Sequence, residues 1–105
     1  MSVETKKTGN GKVIVTPFND LVNRESSDEF QKAIESIIKT GEKELVLDFH
    51  NIEEINSYGI GKILMFYRQL KNSGGELYVA DPLPPKIQII FDNMWLTKIF
   101  KVYQA

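Results

Sequence analysis

Few side chains in this sequence have the type and spacing to do chemistry. It contains no cysteine, which excludes thiolate catalysis, disulfides and zinc–thiolate sites. His50 is the single histidine, and no Ser/His/Asp arrangement or metal-ligand cluster accompanies it. It reads as a surface-loop residue. No Gly-x-x-x-x-Gly-Lys-Ser/Thr segment is present to cradle nucleotide phosphates. The acidic cluster of a magnesium-dependent phospho-acceptor domain is missing too. A non-enzymatic protein is expected, with no catalytic residue, no metal and no cofactor.

What remains is a hydroxyl. Ser57 lies in Asn56-Ser57-Tyr58-Gly59-Ile60-Gly61, shortly after the apolar run Leu45-Val46-Leu47-Asp48-Phe49. The pattern passes from a strand through a loop into a helix. Partners and ligands of open α/β sheets engage beyond the carboxyl ends of parallel strands, and Ser57 falls there. Two readings stand side by side: the hydroxyl caps the first free N–H groups of the helix, or it has a functional role. Asp48 either orients the serine or faces solvent at the strand tip, and the structural role is favoured. Gly59 and Gly61 are read as allowing close backbone approach near the helix start.

The surrounding pattern supplies the elements that hold this segment. Val3 to Lys7 reads as a short edge strand, followed by a Gly9-Asn10-Gly11 turn. Lys12 to Thr16 is β-branched and reads as a buried strand, weakened at Pro17. Phe30, Ala33, Ile34, Ile37 and Ile38 recur at helical spacing, with Asn23, Ser26 and Ser27 as candidate caps and Gly41 as the stop. Glu44 to Phe49 is the next strand, and Ile52 and Ile55 anchor the loop after it. Ile60, Ile63, Leu64, Tyr67 and Leu70 mark a second helix, ended by Ser73-Gly74-Gly75. Leu77 to Ala80 is a strand. Ile87, Ile90, Phe91 and Met94 give a third helix behind Pro82, Pro84 and Pro85. A last short strand falls around Phe100 to Tyr103. The group Phe91, Met94, Trp95 and Phe100 is expected in the core. The order β-β-α-β-α-β-α-β implies an α/β domain with a mixed sheet.

The chain has 105 residues, enough for one compact domain. Thirteen basic residues against fourteen acidic ones give a formal net charge of −1. That balance argues against direct nucleic-acid binding, which needs a basic excess or stripe. No apolar run approaches the roughly 18 residues of a membrane span. The N-terminus lacks the apolar core of a signal peptide. A cytoplasmic protein with no membrane partner is expected.

The segment formed by Leu47-Asp48, Ile52, Ile55 and Asn56-Ser57-Tyr58-Gly59-Ile60-Gly61 resembles the signature of the STAS family, in particular its bacterial anti-sigma-factor antagonist branch. That signature is an apolar strand ending in Asp, a loop with two apolar anchors, and Asp-Ser-Ser-Gly-Leu-Gly opening a helix. Gly74-Gly75 to Pro82 and Trp95 to Tyr103 are similar to its later pattern. The resemblance implies one STAS-like domain over residues 1–105, an α/β fold with a mixed, mostly parallel sheet, an antiparallel edge strand and helices packed against it. It also implies that Ser57 is phosphorylated by a serine kinase that is itself the anti-sigma factor, and that a PPM-type phosphatase restores the hydroxyl. The unphosphorylated form then binds the kinase and frees the sigma factor. The partner-binding residues so implied are Asp20, Leu21, Asn23, Asn56, Ser57, Tyr58 and Gly59. This chain departs from the pattern in three places. Asn56 replaces the usual Asp, Tyr58 replaces the second serine, and Asn19-Asp20-Leu21-Val22-Asn23 replaces a Gly-x-Leu-Asp loop. The alternative on the same fold is a structural STAS subunit of a lipid-transport or stress-signalling assembly, with Ser57 in a constitutive interface.

Overall fold

The computed structural model describes residues 3–104. Strands β1 (Val3–Lys7), β2 (Val13–Pro17), β3 (Glu44–Leu47), β4 (Glu76–Ala80) and β5 (Lys101–Tyr103) form one sheet in the order β1-β2-β3-β4-β5. β1 runs antiparallel to β2, and every later pairing is parallel. The mixed α/β sheet with an antiparallel edge is therefore as expected. Three helices connect the strands: α1 (Arg24–Lys39), α2 (Ser57–Asn72) and α3 (Pro85–Asn93). The row Val15, Leu47, Val79 crosses three strands in register, and all three side chains are buried. Alternation puts Val13, Leu45 and Leu77 on the same face. Helix side chains Phe30, Ile34, Ile63, Phe66 and Phe91 join them in a single core. Phe49, just past β3, sits between Phe30 and Phe91, with ring centroids 6.4 and 6.3 Å away.

Of the three caps offered for α1, Asn23 takes the role: its side chain accepts from Ser26 N at 2.9 Å. Ser26 turns its hydroxyl to Asp20 O instead, at 2.7 Å. Pro85 is the first residue of α3, where its missing N–H costs nothing. One expectation fails. Phe91 and Phe100 are in the core, but Met94 and Trp95 are exposed. α3 ends at Asn93, and Trp95 adopts the left-handed conformation at φ 59°. The helical repeat that aligned these residues with the core has stopped by then.

Glu76 opens β4 with its carboxylate 8% exposed, 3.0 Å from Lys71 Nζ and 3.4 Å from Lys101 Nζ. Burial pushes its carboxyl up, but the Lys71 hydrogen bond and the two ammonium charges outweigh this and hold it below the ordinary carboxylate range. A depressed folded-state pKa stabilises above the unfolded value and is lost as pH falls through the folded one. The urea midpoint of the wild type is therefore expected to drop in the acid range below about pH 4.3, and Glu76→Gln to show a shallower drop there. Parallel acid limbs for the two proteins would remove Glu76 as a source of the acid sensitivity.

Candidate functional site

Two loops meet at the start of α2. The first follows β2 and covers residues 18–23; the second follows β3 and covers residues 48–56. Backbone links tie them: Leu21 N donates to Glu54 O at 3.2 Å, and Asn56 N donates to Leu21 O at 3.1 Å. This places Leu21 and Ile55 in a short parallel bridge. Asp20 Oδ1 accepts from Glu53 N at 2.8 Å and Glu54 N at 3.3 Å. Asn56 then closes the junction from both ends of its amide. Its Oδ1 accepts from Tyr58 N at 3.0 Å and Gly59 N at 3.3 Å, while its Nδ2 donates to Val22 O at 2.7 Å.

Asn56 is thus the N-cap of α2, and Ser57 is its first helical residue. Of the two readings of Ser57, capping falls to the residue one position earlier. An N-cap needs extended backbone, which Asn56 has at φ −114° and ψ −175°. Ser57 is exposed, and among the described residues its hydroxyl makes no hydrogen bond to the protein. The helix start needs nothing from it. The first turn of α2 carries no acidic residue, so its positive end is not already neutralised from within.

Asp48 does not orient the serine. Its Oδ1 accepts from His50 N at 3.1 Å and lies 2.6 Å from His50 Nδ1. This is a local pair at the strand tip, and His50 is on the surface as expected.

The other residues implied as partner-binding divide by burial. Asn23, Asn56, Ser57 and Tyr58 are exposed and Asp20 is half-buried. Leu21 and Gly59 are buried, so neither residue presents surface to a partner in this structure. They serve the junction from inside. A Cβ on Gly59 would fall 2.8 Å from Leu21 O and 2.9 Å from Leu21 Cβ and Ile55 Cγ1. That close approach confirms one glycine reading and removes the other, because a Cβ on Gly61 meets nothing within 4 Å.

Several neighbours escaped the sequence reading. Phe18, Val22 and Met65 are exposed apolar side chains on these loops and on α2. Lys62 lies one turn beyond Tyr58, with its Nζ 5.2 Å from the ring centroid. The four-residue spacing of Tyr58 and Lys62 was the available signal.

Fold and site together define an α/β domain that presents a cross-braced helix start bearing an unengaged serine, rather than a catalytic cleft. The STAS domain model matches residues 4–105, and the chain belongs to the STAS family. An anti-sigma F factor antagonist from Paenibacillus polymyxa is 28% identical over 92 residues, covering 87% of this chain and 78% of that protein. Among solved structures, TM1081 of Thermotoga maritima superposes with a TM-score of 0.86 at 24% identity, covering 98% of this chain and 86% of that one. The anti-sigma factor antagonist SpoIIAA in its unphosphorylated form gives a TM-score of 0.72 at 16% identity, covering 98% and 88%. Its phosphorylated form, described as a Bacillus cell fate determinant, gives 0.73 at 18%, covering 98% and 90%.

Proposed function

We propose that this chain is an anti-sigma-factor antagonist switched by phosphorylation of Ser57. The unphosphorylated form binds an anti-sigma factor that is also a serine kinase, and so releases the sigma factor. A PPM-type phosphatase reverses the modification. With a sigma factor as the downstream target, the proposed place of action is the cytoplasm. Among the described residues no helix is long and apolar enough to cross a membrane. The observation that carries the reading is the division of labour at α2: Asn56 does the capping, and Ser57 Oγ is exposed and unengaged. Its membership in the STAS family and its similarity to the anti-sigma F factor antagonist of Paenibacillus polymyxa support the same reading.

The chemistry asks little of this protein beyond position. Ser57 Oγ attacks the γ-phosphorus of a nucleoside triphosphate held by the kinase. The bond from that phosphorus to the leaving diphosphate breaks, and the hydroxyl proton passes to a base on the kinase. The braced helix start fixes the backbone that carries the nucleophile, and the unengaged hydroxyl is free to turn toward the phosphate. Incubation with the anti-sigma factor and ATP is expected to add one phosphate, mapped to Ser57 by phosphopeptide analysis. Ser57→Ala is expected to bind the anti-sigma factor and remain unlabelled. Labelling at another residue, or none with an anti-sigma factor that binds, sinks the assignment.

A further inference from the structure

Tyr58 is the aromatic neighbour of Ser57, and it is 42% exposed. Its backbone is pinned by Asn56, but an exposed tyrosine ring ordinarily turns between rotamers. Here a cation restrains it. Lys62 Nζ lies 5.2 Å from the ring centroid, while the Lys62 side chain itself is only 20% exposed. The ammonium is tied in turn to α1: Asp28 Oδ1 is 3.6 Å away, and Gln31 Oε1 accepts a hydrogen bond from it. Lys62 therefore bridges two helices under the ring, with its stem packed and its ammonium shared between Gln31, the half-exposed Asp28 and the ring face. Val22, whose carbonyl is bonded to Asn56, and Met65, on the Tyr58 side of α2, are exposed and apolar. Val22 thus flanks Tyr58 at the helix start, and Met65 continues its side of α2 two turns further on.

We infer that Lys62 is a positioning residue: braced by Asp28 and Gln31, it fixes the Tyr58 ring as a preset apolar contact for the anti-sigma factor. The inference rests on the function proposed above and adds to it the source of the contact's rigidity. A ring already held in its docked orientation loses little freedom on binding, which raises affinity without any new contact. The partner surface it fits is an apolar pocket with a polar rim for the Tyr58 hydroxyl, because the Lys62 ammonium under the ring already has Asp28 and Gln31 as partners.

The test has two parts. In the free protein, the Lys62 Hε protons are expected to be shifted upfield by the Tyr58 ring current in NMR spectra, and to return to ordinary positions in Tyr58→Leu. Titration calorimetry then uses the anti-sigma factor that labels Ser57. Lys62→Met is expected to weaken binding about two- to fivefold, and Lys62→Arg, which keeps a cation under the ring, to restore it. Tyr58→Ala is expected to weaken binding about thirtyfold, and Lys62→Met to add nothing further in that background. An equal loss from Lys62→Met in both backgrounds, or no loss in the wild type, overturns the inference. Unshifted Lys62 protons in the free protein overturn it alone. Failure of the wild type to bind any anti-sigma factor overturns the proposed function and the inference with it.

Discussion

A Ser57→Asp variant is expected to bind the anti-sigma factor about a thousandfold more weakly than the wild type, with its thermal stability unchanged or slightly raised. The two halves of that result have different causes. In the free protein the new carboxylate sits at the first position of α2, where the macrodipole favours an anion by about 0.3–1 kcal/mol. The first turn of α2 holds no competing acid. In the docked interface proposed above the same charge would be stripped of water beside the exposed Val22 and Tyr58, and a penalty of about 4 kcal/mol corresponds to a thousandfold in Kd. Phosphoserine carries about −1.5 to −2 charges and is expected to act in the same direction more strongly. Calorimetric titration of the two proteins, with melting curves of each alone, checks both halves. Wild-type affinity in Ser57→Asp would mean that charge at this position is not what the partner reads.

The second large effect comes from a pair of glycines two residues apart. Gly59→Ala is expected to destabilise the fold by about 2 kcal/mol, lowering Tm by about 10 °C. The added methyl meets a backbone carbonyl and two packed side chains of the loop junction, none of which moves cheaply. Gly61→Ala is expected to do the opposite, gaining up to about 1 kcal/mol from helix propensity, because its Cβ enters open space. Thermal melts followed by circular dichroism compare the two directly. Equal shifts of the same sign would show that the contact between Gly59 and Leu21 does not govern the packing of the junction.

Much of this was legible because it is local. The β-branched and apolar runs gave the strands, the spacing from Phe30 to Ile38 gave α1, and Pro85 fell at the first turn of α3. Where reading failed, the deciding contact lay far away in sequence or at the end of a repeat. Asp20 reaches the amides of Glu53 and Glu54, and Asn56 reaches Val22 O, both across more than thirty residues. No periodicity reveals such links. They nonetheless decide that Asn56 caps and that Ser57 is left unengaged. The family resemblance implied Leu21 as a partner contact, yet its bridge to Ile55 buries it. Met94 kept the spacing of a helix that had already ended, and Trp95, grouped with the core as a large apolar residue, follows that end in a left-handed turn. Gly59 and Gly61 look alike in the sequence, and only the position of Leu21 tells them apart.

The hydrogen-bonded junction of the two loops has one more consequence. Under the function proposed above, a phosphoryl group on Ser57 would meet a junction already held by hydrogen bonds across two loops, so the signal would lie in a covalent bond and not in a balance of shapes. Such a device would work as memory: its state would persist as long as the ester survives, and erasing it would take a second protein.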